Sequence, residues 1–307
     1  MANDSESKQS LAQHLPRPHA WLSHILAPGG IESAERLRKA VNGKNVLVTG
    51  ASFGIGEALA LRLGGAGANL MIAARSTPQL DSLAERIARA GGQVKVFTLD
   101  LADSTQIAKT AAEIDCVSGG MDVVVHNAGK SIRRSLALSV DRFHDFQRLM
   151  AVNYLGPVQL QLALLPKMQE RGSGQIVNVS SVGVRLPPAP RWAAYLASKS
   201  AFDIWLRSAA PELKHQGIVC TSIYFGLVHT RMSAPTPAYR TMPGQTADEA
   251  ATVICRALIQ RSTRIGPWWL RPAEWLSAPL AQPIECLQGR LFLSGSDTAA
   301  ARGKVHE

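Results

Sequence analysis

The chain has 307 residues, 46% hydrophobic and 18% charged, with a formal net charge of +10 at pH 7. That is enough apolar material for one large α/β domain or two small ones, and the positive balance suits an anionic partner such as a phosphorylated cofactor, a coenzyme A thioester, a membrane surface or nucleic acid. Nucleic acid is set aside by pattern, because the Lys and Arg residues are spread out, with no dense block and no interleaved aromatic residues. Cys116, Cys220, Cys255 and Cys286 are scattered, without CxxC or metal-ligand spacing, and read as reduced thiols buried as small apolar residues. The start Met1–Ser10 is polar and lacks a signal-peptide pattern, and no apolar run has the length of about 18 residues that a membrane span needs. A cytoplasmic protein is expected.

Taken in chain order, residues 1–43 read as an extension. The first ten residues are expected to be disordered, and residues 18–41, with Trp21, Leu22, Ile25, Leu26, Leu37 and Val41, form one or two short helices. From Lys44 short apolar runs alternate with helical patterns. Strands are predicted at Asn45–Thr49, Asn69–Ala74, Gln93–Leu99, Met121–His126, Gly174–Ser180 and Ile218–Tyr224, with a weaker seventh near Arg264–Trp268. Helices are predicted over Ile55–Gly67, Gln79–Ala90, Ser104–Val117, a long stretch around Val140–Arg171, and Tyr195–Gln216. This rhythm predicts the α/β class, a doubly wound parallel sheet with helices on both faces and right-handed crossovers.

The first strand runs into Thr49-Gly-Ala-Ser-Phe-Gly-Ile-Gly56 and then a helix. Gly50 allows a tight turn, Gly54 lets backbone approach a pyrophosphate, and Gly56 allows close helix–strand packing. The helix N-terminus adds free N–H groups and the positive end of its dipole. Ser52, Phe53 and Ile55 belong to the same turn. The second strand ends at Ala74-Arg75-Ser76, with no acidic residue for a ribose 2′-hydroxyl. An arginine fork there suits a 2′-phosphate, so NADP(H) is the expected cofactor, with hydroxyls from Ser52 and Ser76 assisting. Asp100 and Leu101 follow the third strand, where a carboxylate can meet an adenine amino group, and Asn127-Ala128-Gly129 follows the fourth.

Tyr195 and Lys199 lie four residues apart, on one face of a helix. An ammonium one turn from a phenol favours the phenolate and draws its pKa down, which suits a proton donor or acceptor at a carbonyl or alcohol oxygen.

Together these segments resemble the short-chain dehydrogenase/reductase family over residues 44–268, on Thr49–Gly56, Asp100, Asn127–Gly129, Asn153, Ser180-Ser181, Tyr195 and Lys199. The resemblance implies a Rossmann fold. It makes Tyr195 the general acid–base, Lys199 the holder of the nicotinamide ribose, Ser181 the donor to the substrate oxygen, and Asn153 the holder of a relay water. Val228 and Thr230 would contact the nicotinamide carboxamide, and a dimer or tetramer is the family expectation. The chain departs from the family in two places. Ser181 to Tyr195 is one residue longer than usual, assigned to Leu186-Pro-Pro-Ala-Pro190, and Phe225-Gly226 stands where Pro-Gly is usual.

A closer resemblance, to bacterial fatty acyl-CoA reductases, lies in Asn127–Ser135 with its Ser-Ile-Arg-Arg run, Asp141–Phe146, Ser181–Val184, Ser233–Thr236 and Arg261–Ile265. It implies reduction of long-chain acyl-CoA or fatty aldehyde, with Lys130, Arg133 and Arg134 at the rim of the site to attract phosphate or carboxylate. A general carbonyl or secondary-alcohol dehydrogenase for steroid- or retinoid-like substrates, and a non-catalytic NADP(H)-binding sensor, are the alternatives. The Met232–Pro243 loop is a predicted lid. The tail, residues 269–307 with a disordered end, reads as a lid, a dimer contact or a peripheral membrane contact. Its Trp and Leu residues repeat at near-helical spacing, interrupted by Pro272, Pro279 and Pro283.

Overall fold

The computed structural model describes residues 27–29 and 33–303. The expected disorder of the first ten residues and of the extreme C-terminus, and the helical reading of Trp21–Leu26, lie outside them. A seven-stranded parallel sheet forms the centre, in the order β3-β2-β1-β4-β5-β6-β9. Its strands are β1 Asn45–Thr49, β2 Asn69–Ala74, β3 Gln93–Thr98, β4 Val123–His126, β5 Gly174–Ser181, β6 Ile218–Phe225 and the short β9 Arg264–Ile265. The two-residue strands β7 Val228–His229 and β8 Gln245–Thr246 pair with each other and close the loop after β6.

Successive residues of the central strands feed opposite layers. Val46, Val48, Val123 and Val125 pack into one core with α1 Ala34–Val41, α2 Gly54–Gly65, α3 Thr77–Arg89 and α8 Ala247–Gln260. Leu47, Val124 and Ile176 pack into the other with α4 Ser104–Ser118, α6 Gly156–Arg171 and α7 Ala193–Lys214. Burial on both faces is why these strands read as near-continuous apolar runs. Strand order reverses between β1 and β4, so their C-terminal ends open the crevice where such sheets bind ligands.

Predicted boundaries match at most strand ends and shift by one to three residues at the others and at most helix ends. The long stretch around Val140–Arg171 begins later, at α5 Phe143–Met150, and continues through a π turn, Ala151–Leu155, into α6. Helix α8 had no predicted counterpart, although Thr246 and Glu249 form a capping box at its start. In the tail, α9 Leu270–Ser277 and α10 Ala281–Ser294 carry Pro272 and Pro283 in their first turns and Pro279 between them, which is where proline is tolerated. Cys220 and Cys255 are buried, whereas Cys116 and Cys286 are exposed, against the expectation that all four are interior. No helix among the described residues is long and apolar enough to cross a membrane.

Candidate active site

The β1–α2 turn is built from glycines that cannot be replaced cheaply. Gly50 sits at φ +67°, and a Cβ there would lie 2.7 Å from the Ala128 Cα. A Cβ on Gly56 would collide with the Gly50 carbonyl oxygen. Asn127 Nδ2 donates to the carbonyls of Thr49 and Gly50 at 3.0 and 3.1 Å, and Thr49 Oγ1 accepts the N–H groups of Asn127 and Ala128. The Asn127 side chain therefore holds the turn in shape. Helix α2 starts at Phe53, which is extended and supplies no side-chain cap, so the first N–H groups face the cleft. This cradle fits the pyrophosphate of a dinucleotide, with the backbone as its donor set.

At the end of β2, Arg75 is exposed and has no carboxylate partner among the described residues, while the Ser76 hydroxyl is hydrogen-bonded to Gln79 Oε1. Lys130 is half-buried. Burial holds its pKa below the usual lysine range, Arg148 and Arg75 lower it further, and Asp100 opposes them. Three cations thus share one neighbourhood with a single carboxylate, an arrangement suited to a phosphate. Asp100 Oδ1 accepts the Ala102 N–H at 2.9 Å.

The π turn places Asn153 behind this loop, only 2% exposed. Its Oδ1 accepts the Lys130 N–H at 2.8 Å, and its Nδ2 donates to the Lys130 carbonyl and Ser198 Oγ, each at 2.9 Å. Its amide thus ties the Lys130 loop to α7. A Cβ on Gly129 would lie 3.1 Å from Lys199 Nζ and 3.4 Å from Asn153 Oδ1, so glycine is what lets these groups converge.

Tyr195 and Lys199 lie one turn apart on α7. The Ser181 hydroxyl, at the end of β5, accepts the Gly183 N–H at 3.2 Å and is near enough to the Tyr195 phenol to draw its pKa down. The neighbouring Ser180 Oγ is buried without a hydrogen-bond partner, so the geometry separates the two serines. The extra residue before Tyr195 leaves this contact intact. The loop takes up its length around Arg191, which adopts φ +69°.

One expectation fails. Burial pushes the Tyr195 phenol up to about 12, Ser181 lowering it only in part. Lys199 does not lower it in this geometry. Its Nζ donates to the Val179 carbonyl at 3.1 Å, and burial brings the ammonium itself down to about 8. Beneath it His126, buried on Phe202 and bonded to Gln161 Oε1 at 2.9 Å, is held down to about 4, chiefly by burial, and is neutral at physiological pH.

These residues open on one cleft of about 1580 Å³. Gly50, Ser52, Phe53, Gly54, Ile55, Arg75, Ser76, Asp100, Leu101, Asn127, Ala128, Gly129, Ser181, Tyr195, Lys199, Val228 and Thr230 line it; Gly56 and Asn153 stand behind the lining. The sequence pattern does not single out Arg148, Trp192 or Tyr239, which also line it. The Trp192 edge meets Tyr195 with centroids 5.5 Å apart and its face stacks on Tyr239 at 6.4 Å, forming an apolar wall beside the phenol. A tryptophan three residues before the tyrosine on a helical pattern was the available signal.

Residues 44–240 match the family model described as short chain dehydrogenase. The chain belongs to that family. It is 42% identical over 270 residues to an uncharacterized oxidoreductase of Mycobacterium tuberculosis, covering 87% of this chain and 79% of that one. It is 44% identical over 228 residues to a fatty acyl-CoA reductase of Acinetobacter baylyi, covering 74% and 77% respectively. Among solved structures, a metagenomic short-chain oxidoreductase in complex with NADP superposes with a TM-score of 0.64 at 29% identity, covering 73% of this chain and 96% of that one. The chain is accordingly a short-chain oxidoreductase.

The family match ends at residue 240, and the tail of this short-chain dehydrogenase reaches back to the cleft. Thr298, Ala300 and Ala301 line the cleft. Arg191 donates to the carbonyls of Phe292 and Gly295 at 3.1 and 2.7 Å and lies over the Phe292 ring. Arg134 pairs with buried Asp145 and donates to the Ala301 carbonyl, and Arg133 donates to the Ser296 carbonyl. Arg133 and Arg134, of the basic run expected to attract coenzyme A, are thus engaged in holding the tail, whereas Lys130 is not.

A second clasp is Glu274 on α9, which accepts from Arg185 Nε and Arg264 Nη2, both at 2.6 Å. The two guanidinium groups lie over Tyr224, whose hydroxyl donates to Asp203. Replacing Glu274 by alanine leaves two half-buried cations facing each other and is expected to cost about 2 kcal/mol in urea unfolding. Glu274→Gln, which keeps an acceptor, costs less. Equal stability of all three proteins would refute the clasp.

Proposed function

We propose that this chain is an NADPH-dependent reductase of long-chain fatty acyl-CoA or fatty aldehyde, with residues 44–268 as its catalytic unit and the tail as a lid. The observation that carries the reading is the single long cleft, cradled by glycines and cations at one end and walled by Trp192, Tyr239, Leu186, Met232 and Met242 at the other. At about 1580 Å³ it exceeds the roughly 300–1,000 Å³ of a one-ligand pocket. The likeness to a fatty acyl-CoA reductase of Acinetobacter baylyi supports the substrate class, and the NADP-bound structural neighbour supports the cofactor.

When bound, NADPH supplies hydride to the carbonyl carbon. The turn Gly50–Gly56, with Ser52, Phe53 and Ile55, holds its pyrophosphate. Arg75, with Lys130, Arg148 and Ser76, holds the 2′-phosphate, and Asp100 and Leu101 border the adenine. Asn127–Gly129, Val228 and Thr230 border the nicotinamide half. Tyr195 gives its phenolic proton to the substrate oxygen, so that an aldehyde becomes the alcohol and an acyl-CoA becomes a thiohemiacetal that loses coenzyme A as the free thiol to leave the aldehyde. Ser181 donates a hydrogen bond to that oxygen as charge gathers on it. Lys199 fixes the nicotinamide ribose, and Asn153 keeps the Lys130 loop and α7 in register. A cytoplasmic setting and self-association complete the reading.

The test is NADPH oxidation with acyl-CoA, aldehyde and ketone substrates of graded chain length. Turnover rising with acyl length is expected. Reaction confined to short polar carbonyls would refute the fatty substrate, and reaction confined to bulky ketones would move the assignment to a secondary-alcohol dehydrogenase. Tight NADPH binding without turnover on any of them would make the chain a sensor.

A further inference from the structure

The outward side of α9 and α10 is apolar where a surface in contact with water is mostly mixed. Trp268, Trp275 and Leu293 are 70%, 78% and 83% exposed, and Leu276, Leu280, Leu287 and Leu291 are exposed between them. Leu287 and Leu291 lie one turn apart on α10, and Leu276 and Leu280 flank the break between the two helices. Ile284 is half-buried and Gln288 reaches the Pro187 carbonyl on the side of α10 that meets the body, while Leu287 and Leu291, on the flank beside it, are 57% and 59% exposed. A continuous apolar patch of this kind marks a contact surface.

Charge selects the occupant. The exposed ionisable residues on the two helices are Arg271, Arg290 and Glu285, while Glu274 is committed to Arg185 and Arg264. The face is therefore net positive, in a chain of net charge +10. Indoles at one end, leucines beyond them and guanidinium groups on the same helices supply the chemistry of a lipid interface: headgroup boundary, acyl chains and phosphates. A second copy meeting this face symmetrically would bring like charges together, and the chain has other exposed apolar residues for such a contact, Leu155 at the end of the π turn, Leu162 on α6 and Ile204 on α7. We infer that the α9–α10 face docks peripherally on an anionic lipid bilayer. Thr298, Ala300 and Ala301, just beyond α10, line the cleft, so docking brings the cleft mouth to the lipid surface. The contact itself does not depend on the substrate reading; if that reading holds, a long acyl chain reaches the cleft without crossing water.

The experiment is sedimentation of the full chain with phosphatidylcholine vesicles and with mixed phosphatidylcholine–phosphatidylglycerol vesicles, at low and high salt. Binding to the mixed vesicles, weakened by salt, is expected. The double variant Trp275→Ser/Leu287→Ser should lower partitioning about tenfold or more, since two large side chains no longer leave water. Both positions are exposed, so the melting curve should be unchanged. Turnover of a short water-soluble aldehyde, followed in parallel, separates loss of lipid binding from loss of catalysis. No sedimentation with either vesicle, or equal binding by the double variant, would overturn the inference. A variant that turns a dimer into a monomer in light scattering, with vesicle binding intact, would give the face to a second copy and also overturn it.

Discussion

Replacing Tyr195 by phenylalanine is expected to lower the reductive kcat by about two to four orders of magnitude, the usual worth of a positioned proton donor, while NADPH affinity changes little. The variant removes one hydroxyl and keeps the ring against Trp192, so folding should survive. The pH profile then separates Tyr195 from Lys199. Burial pushes the phenol up to about 12, so it keeps its proton throughout the usual assay range and remains competent as an acid. The Lys199 ammonium is brought down to about 8, so its charge is present below that pH and lost above it. Reductive kcat/KM should accordingly be level on the acid side and fall as pH rises through about 8. Lys199→Arg, whose guanidinium does not titrate there, should be slower but without the alkaline fall. Full activity in Tyr195→Phe would end the proposed proton donation. An unchanged alkaline limb in Lys199→Arg would assign that limb to another group.

The same two residues mark how far spacing alone carries. That Tyr195 and Lys199 share a helix face follows from geometry, and α7 places them so. Whether Lys199 tunes the phenol depends on how deeply each is buried and where the ammonium donates, and neither is written in a four-residue interval. The strands were legible because a parallel strand covered on both faces is an apolar run; β1 and β2 match their predicted ranges. The glycine turn was legible for a different reason: at Gly50 and Gly56 any side chain would collide with backbone. The π turn at Ala151–Leu155 was not, since a widened helical turn needs no special residue type. Arg134 looked like a rim cation because its partners, Asp145 and the Ala301 carbonyl, lie 11 and 167 residues away in sequence. The tail leucines showed helical spacing, but periodicity states that residues share a face and not which way the face points.

The cofactor end carries the second large effect. Arg75→Ala is expected to lower kcat/KM for NADPH by about ten- to a hundredfold, the worth of roughly 1.5–3 kcal/mol for hydrogen bonds to a charged group, and to leave NADH nearly unaffected. The loss should stay below that of a lone phosphate contact, because Lys130 and Arg148 remain in the same neighbourhood. Adding Ala74→Asp should go further and invert the preference. Ala74 ends β2 where the core meets the cleft, next to Thr98 of β3 and one residue before Arg75, so a carboxylate there is expected to meet the ribose beside the 2′-phosphate. It accepts from a 2′-hydroxyl but repels a 2′-phosphate, improving NADH and penalising NADPH through one group. Initial rates with the two cofactors, at fixed substrate and two ionic strengths, give the answer. The phosphate penalty should shrink at high salt, because the site is partly open and its charges are screened. If the double variant still preferred NADPH as strongly as the parent, the 2′-phosphate would lie elsewhere in the cleft. Lys130 and Arg148, with no counterpart among the sequence signals for this cofactor, would then be the residues to replace next.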